Sequence, residues 1–281
     1  MQGSDGSFYG TTEVGGAGRN CSSSLFPNGC GTIFKITPAG KLTTLYSFCS
    51  LSNCADGMGP EALIQATDGN FYGTTGNGGT NCAPYGCGTV FEVSDNHLTT
   101  LYSFCSLTNC ADGSSPNLLT QGSDGNFYGT TESGGIGDGT VFEITSTGTL
   151  TTLHSMCSET LCSDGSSPIG GLLQATNGAF YGTTYMGGTS NDGIVFRLNT
   201  GLAPYVSFIR NPAKVGQQFG ILGYGLSGTS GVVFNGTSAN FTAKSDTLLV
   251  ATVPSGATTG YVTVITPSGT LTSNVPFRVI H

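Results

Sequence analysis

The sequence predicts an all-β protein: a propeller-like array of about four four-stranded units, followed by a sandwich of short strands. Three observations predict it. The string FYGTT occurs four times, starting at Phe8, Phe71, Phe127 and Phe180. Glycine supplies 46 of 281 residues and only 9% are charged, yet there are 16 Phe and 11 Tyr. All ten cysteines lie before residue 163, which sets the repetitive part apart from the remainder. A disordered chain would have more charge and fewer aromatics. Collagen and coiled-coil periods are absent.

Residues 60–116 show the elements of one unit in order. Leu63–Thr67 is a short apolar-polar run, the first strand. Asp68-Gly69-Asn70 is a hairpin turn, because glycine accepts positive φ cheaply. Phe71–Thr75 is the second strand. A glycine-rich loop leads to Thr89–Val93, rich in β-branched residues and so the third. Asp95-Asn96 turns the chain into Leu98–Phe104, the fourth. Four strands in about 50 residues is the period of a propeller blade, which buries its faces only against its neighbours. A stack of hairpins in an open arc is the alternative. The same order recurs elsewhere: G-[TI]-[VI]-F at Gly31, Gly88, Gly139 and Gly193, then LTTLYSF at Leu42 and Leu98 and LTTLHSM at Leu150, then C-x4-C and D-G-x-x-P.

The first repeat aligns in mid-course, Met1–Asp5 with Ile64–Asp68, and the fourth has no LTTLYSF segment after Leu198. Two expectations follow. The chain is a fragment of a longer array, or its two deficient ends complete one blade across a ring. The ring requires those ends to be hydrogen-bonded in one sheet.

The repeats resolve the cysteine pairing that a count of ten leaves open. Cys49/Cys54, Cys105/Cys110 and Cys157/Cys162 recur at one position with one spacing. Cys21/Cys30 and Cys82/Cys87 occupy the loop before the third strand. Asp138 and Asp192 stand there in the later repeats, and the partner cysteine is missing as well. Joint presence or absence is what a disulfide requires, so five local disulfides are expected. Zinc would call for two-residue cysteine spacings or accompanying histidine; His97, His154 and His281 accompany no pair. Disulfides point to an oxidising compartment, secreted or periplasmic.

Charge separates residues 1–203 from 204–281. The first part holds fifteen of the sixteen acids with Arg19, Lys35, Lys41 and Arg197; the second holds Asp246 with Arg210, Lys214, Lys244 and Arg278. The net charge of −8 gives no reason to expect nucleic acid as a partner. No apolar run reaches the length of a transmembrane helix.

Candidate chemistry is sparse. No catalytic constellation is visible. Glu92 and Glu143 stand where Lys35 and Arg197 stand in the other repeats, so this position reads as an exposed face rather than a glycosidase pair. Asp56, Asp112 and Asp164 recur beside glycine. They are the candidates for calcium, with an Asp-Gly turn as the simpler explanation. No other cofactor is expected. The S-D-G-x-F string is only superficially like the Asp-box of sialidase propellers, since the chain has no Trp. Phe8, Phe71, Phe127 and Phe180 read as core, with the adjoining tyrosines half-buried, although such dipeptides could also stack on sugars. Asn20, Asn235 and Asn240 lie in N-x-[ST] sequons.

The strings DGNFYGTT at Asp68–Thr75 and Asp124–Thr131, GTVFEV, GTVFEI and LTTLYSF resemble the GloVer tandem repeat of secreted bacterial proteins, over roughly residues 1–200. The resemblance implies an extracellular repeat region and no catalytic residues. Residues 204–281 resemble an IPT/TIG domain of immunoglobulin-like fold, through segments such as Ile221–Leu226, Val232–Gly236, Tyr261–Thr266 and Pro276–Val279. Short alternating strands between turns suit such a sandwich. The function expected is non-catalytic binding, adhesion or display at the cell surface, with a polysaccharide or surface protein as partner. A glycan-active enzyme and a plain structural spacer are the rivals.

Overall fold

The structure is a computed structural model describing residues 1–18, 21, 28–82 and 85–280. Arg19, Asn20 with its sequon, and His281 lie outside the described residues. The fold is all-β, built from antiparallel sheets and one short parallel pair, Ala213–Lys214 with Val279–Ile280; among the described residues the only helical pieces are 3-10 turns at Ser52–Cys54, Thr108–Cys110 and Thr160–Cys162. No helix is long and apolar enough to cross a membrane. The chain divides into two compact units. One comprises Met1–Leu173 and Tyr181–Arg197; the other comprises Gln174–Phe180 and Leu198–His281.

The first sheet runs Phe8–Thr12, Thr32–Ile36, Leu42–Ser47. The second runs Met58–Gln65, Phe71–Asn77, Thr89–Ser94, His97–Ser103. In the third, Ser114–Pro116 and Thr120–Gln121 both pair with Phe127–Ser133, followed by Thr140–Ile144 and Leu150–Ser155. In the fourth, Ser166–Pro168 pairs with Phe180–Met186. The opening strand differs from the sequence expectation. In the second repeat it starts earlier, at Met58, and its register shifts between Pro60 and Leu63. In the third it breaks into two pieces after Pro116. Proline donates no hydrogen bond to a ladder, which explains interruption at this point. A register shift recurs at the same place between third and fourth strands: Ile33/Phe34, Val90/Phe91 and Val141/Phe142.

Consecutive repeats pack through aromatic pairs. Tyr9 lies 4.3 Å from Phe71 and Tyr72 lies 4.1 Å from Phe127, ring centre to ring centre. Phe48 meets Phe91 edge-on at 5.2 Å, as Phe104 meets Phe142 at 5.2 Å. Such geometries suit the ring quadrupoles. The expectation that phenylalanine is core and tyrosine half-buried holds for Phe127, Phe180, Tyr9 and Tyr181 and needs correction elsewhere. Tyr72 and Tyr128 are buried as completely as Phe127, whereas Phe8 is 49% exposed. The tyrosine ring is the surface on which the next repeat packs, and among the described residues no tyrosine ring packs on Phe8 in that way. Gly73 makes room for the third strand: a Cβ there would lie 2.6 Å from the Phe91 ring.

Among the described residues the strands of the first sheet pair among themselves, and none pairs with a strand of the fourth. The two deficient ends therefore do not complete one sheet, which corrects that alternative.

In the second unit, one sheet runs Ser207–Phe208, Gln218–Leu222, Leu248–Thr252, Phe241–Ser245. The other runs Thr237–Ser238, Gly231–Phe234, Val262–Thr266, Gly269–Thr272. Alternation sends Phe219, Ile221, Leu249, Ala251, Val232 and Phe234 into one shared core. Phe277 sits at its centre, stacked on Phe219 at 4.5 Å and edge-on to Phe234 at 5.3 Å.

Candidate functional site

The ten cysteines form five disulfides: Cys21–Cys30, Cys49–Cys54, Cys82–Cys87, Cys105–Cys110 and Cys157–Cys162. The two kinds of pair lie side by side. The sulfurs of Cys82, Cys87, Cys105 and Cys110 all fall within 4.8 Å of one another, and Cys30 adjoins Cys49 and Cys54. In the third repeat Asp138 takes the place of the lost pair beside Cys157 and Cys162, and its carboxylate accepts a bond from the Ser166 hydroxyl at 3.1 Å.

Each C-x4-C loop is held by the aspartate that follows it. Asp56 accepts from the Tyr46 hydroxyl at 2.8 Å and from the N–H groups of Ser50 and Leu51 at 2.9 and 3.1 Å. Asp112 does the same with Tyr102, Ser106 and Leu107, at 2.8, 2.8 and 3.1 Å. Both aspartates are fully buried. Asp164 accepts from the N–H groups of Ser158 and Glu159, and His154 replaces the tyrosine at 3.0 Å. Burial alone would raise the Asp164 pKa, but bonds from Ser158 and Glu159 outweigh it and hold the carboxyl below its usual range. Burial and the Asp56 carboxylate raise the Tyr46 pKa. Tyr102 is pushed up to about 12, chiefly by burial, with the Ser106 hydroxyl opposing and Asp112 adding. The three calcium candidates thus have their lone pairs engaged by protein donors. Among the described residues they join no cluster of three or more potential metal ligands.

A second network occupies the hairpin turns. Asp68 accepts from the Asn70 N–H at 2.9 Å and the Tyr72 hydroxyl at 2.8 Å, and the Asn70 amide donates to Glu92 at 2.7 Å. Asp124, Asn126, Tyr128 and Glu143 repeat this arrangement. The first repeat has Ser7 in place of asparagine, and there Lys35 bonds Asp5 at 2.7 Å. Glu92 and Glu143 are therefore half-buried members of a turn network, not an exposed face. The signal was present in the sequence: glutamate occurs in the two repeats whose turn reads D-G-N.

The threonines and glutamines that recur are likewise engaged. Thr11, Thr74 and Thr130 donate to carbonyls of Glu61, Asn117 and Gly170 in the next repeat. Gln65 accepts from the Ser4 N–H at 2.8 Å and donates to the Gly69 carbonyl at 2.9 Å; Gln121 bonds Thr67 and Gly125 in the same way.

A groove of about 530 Å³ lies between the Cys49–Cys54 disulfide loop and the second sheet, and part of its wall is made by members of the Asp112 network. Leu51 and Ala55 form one wall, and Thr80, Asn81, Thr100, Leu101, Tyr102, Ser103 and Ser106 the rest. No charged side chain lines it. Leu51 is 53% exposed, as its counterpart Leu107 is 56% exposed. Sequence reasoning missed this groove because two repeats build it. A smaller recess of about 330 Å³ in the second unit is lined by Val215, Gly216, Ser238, Asn240 and Thr252–Ser255, also uncharged.

Three solved structures are similar at low identity. A luciferin-regenerating enzyme is 11% identical, with 72% of this chain and 61% of that one covered and a TM-score of 0.45. A fungal alcohol oxidase in complex with copper is 10% identical, with 90% and 60% covered and a TM-score of 0.42. The extracellular domain of a putative hybrid two-component system from B. thetaiotaomicron is 12% identical, with 99% and 37% covered and a TM-score of 0.43. The chain thus spans less than two thirds of each, and likeness of this degree carries no argument about activity. No curated protein matches. The model of the Gloeobacter/Verrucomicrobia repeat matches residues 1–211. With the recurrence of disulfide, aspartate, threonine, glutamine and aromatic contacts from repeat to repeat, that match establishes that the chain belongs to the Gloeobacter/Verrucomicrobia repeat family.

Proposed function

We propose that this is a non-catalytic extracellular or cell-surface protein that binds a neutral ligand of the polysaccharide class through its repeats. In this reading the four sheets are blades of a propeller-like array over residues 1–203. Residues 204–281 form an immunoglobulin-like domain of IPT/TIG type that spaces or displays the array. The observation that carries the reading is the uncharged groove at Leu51, Asn81, Thr100 and Tyr102. Tyr102, Leu51 and Leu101 offer apolar surface to a sugar ring, and the hydroxyls of Thr100, Tyr102 and Ser106 beside them, which donate within the protein, keep acceptor lone pairs for sugar hydroxyls. Five disulfides support an oxidising location. The recurrent carboxylates are committed to loop and turn bonds, which leaves them poorly placed to serve as an acid-base pair. Neither groove is lined by a carboxylate or histidine.

A glycan array and polysaccharide pull-down test this reading. Binding without turnover, weakened at least about tenfold by Tyr102→Ala or Asn81→Ala, is the expected result. Turnover of a bound glycan would establish the enzyme instead, and no binding to any glycan would leave a spacer. Calcium addition is expected to leave the melting temperature unchanged, because Asp56, Asp112 and Asp164 are already saturated by donors.

A further inference from the structure

We infer that the two adjoining disulfides of the second repeat, Cys82–Cys87 and Cys105–Cys110, form one thiol–disulfide exchange centre that takes electrons from an incoming dithiol. The five disulfides are not equivalent. In the second repeat all four sulfurs lie within 4.8 Å of one another, and all four cysteines are half-buried, open in part to solvent. Tyr85 beside one pair, and Ser106–Asn109 within the other, are exposed. In the first repeat Cys30 adjoins Cys49 and Cys54, but these are 0%, 0% and 8% exposed. Cys21 is half-buried, yet attack there would release Cys30 as a thiolate inside an apolar cluster, where burial disfavours the charge. In the third repeat Cys157–Cys162 is half-buried, but its neighbour is the Asp138 carboxylate, which takes no electrons and repels a thiolate. The second repeat is where entry from solvent coincides with a second disulfide within reach.

Hydrogen bonds keep these sulfurs together once one bond opens. The Asn81 amide donates to the Ser103 and Phe104 carbonyls at 3.2 and 3.0 Å, which ties the residue before Cys82 to the residue before Cys105. The Cys105 N–H donates to the Gly113 carbonyl at 3.1 Å and the Cys110 N–H to the Leu107 carbonyl at 3.0 Å, while Asp112 holds Ser106 and Leu107. A thiolate released in this loop meets Cys82–Cys87 at a far higher effective concentration than a reagent in solution. The first thiolate of the dithiol attacks one sulfur of Cys105–Cys110. That bond breaks, a mixed disulfide forms with one cysteine, and the other cysteine leaves as a thiolate. The released thiolate attacks Cys82–Cys87, forming a bond between the two pairs and freeing a second cysteine thiolate, which takes up a proton. The dithiol's second thiolate then resolves the mixed disulfide, and the cysteine it displaces takes up the other proton. Two electrons and two protons have passed to the protein, which holds one disulfide between the pairs and two thiols, and the dithiol has become a disulfide. Entry at Cys82–Cys87 follows the same course with the pairs exchanged.

The test treats the folded protein with one equivalent of dithiothreitol near the ordinary thiol pKa, blocks free thiols with N-ethylmaleimide and maps the peptides by mass spectrometry without reduction. Chymotrypsin cuts after Tyr85 and Leu107, so it separates the members of each pair. The expected product joins Cys82 or Cys87 to Cys105 or Cys110, with the other two cysteines alkylated. It should be at least about tenfold more abundant than any peptide joining Cys157 or Cys162 to another repeat. Alkylation of both members of a native pair, with no bond between the pairs, would overturn the inference. Cross-links spread evenly over all ten cysteines would overturn it as well, because they mark exchange through the unfolded chain. A second measurement needs no reductant. Cys82→Ser leaves Cys87 beside Cys105–Cys110, and the single thiol should be found distributed over Cys87, Cys105 and Cys110. Cys157→Ser should keep its single thiol on Cys162. A thiol confined to Cys87 in the first variant would overturn the inference.

Discussion

The two units reach a folded β structure by different means. The second unit has no cysteine and relies on one continuous apolar core, with Phe277 between Phe219 and Phe234. The repeats have no single core. Their apolar residues fall into separate clusters, each drawing on neighbouring repeats, as Phe48 does with Phe91 and Tyr72 with Phe127. A four-stranded meander is too small to bury both faces alone. Disulfides, buried aspartates and glutamine latches supply what the small clusters lack. The difference teaches that weak charge and abundant glycine need not mean a loose chain, provided that the few polar groups are bonded in repeated, specific ways.

Reduction should break this comparison most strongly. Each short disulfide loop contributes about 2 kcal/mol through the unfolded state, so five together, about 10 kcal/mol, are comparable to the whole stability of a typical domain. A reductant should abolish the cooperative transition of the repeats and leave that of the second unit in place, as differential scanning calorimetry would show. A single transition lost as a whole would contradict the separation of the two.

High pH comes next. Tyr46, Tyr72, Tyr102 and Tyr128 have pKa values raised above the ordinary 10.0, chiefly by burial, Tyr102 to about 12. A raised pKa keeps the proton in the folded state, so unfolding is favoured once the unfolded tyrosines ionise. Stability is fully present below pH 10 and falls between pH 10 and the folded values. Each tyrosine contributes at most about 1.4 kcal/mol per pH unit to that slope. Absorbance at 295 nm should show these tyrosines ionising only as the repeats unfold.

Single substitutions sharpen the contrast. Phe277→Ala should cost about 4 kcal/mol and lower only the transition of the second unit. Asp112→Ala, which strands the N–H groups of Ser106 and Leu107 and leaves the Tyr102 hydroxyl only its bond to the Ser106 hydroxyl, should cost about 3 kcal/mol in the repeats alone. Gln65→Ala should cost about 1 kcal/mol, because its bonds to Ser4 and Gly69 are solvent-exposed. Urea unfolding monitored separately for each unit checks all three.

Much of this was legible from recurrence. Identical strings in the same order give the repeat, the strand content and the cysteine pairing: Cys105 with Cys110 because the pair recurs at one position with one spacing, Cys82 with Cys87 because both members are present or absent together. Other features were written there but needed a partner to be read. Glu92 looks like a variable surface residue until Asn70 is placed beside it. Tyr72 looks amphipathic until Phe127 of the next repeat covers its ring while Asp68 takes its hydroxyl. The groove at Leu51 and Tyr102 has no sequence signature, since its walls come from residues some fifty apart.

Sequence by itself determined the all-β class, the repeats and their family, and the local disulfides, because these depend on short-range strings and on composition. Only the tertiary structure decided which residues close a loop, which join repeats and which stay free. Those assignments depend on what lies across a gap between sheets, and burial there sets whether an aspartate, a tyrosine or a glycine is a turn residue or part of an interface.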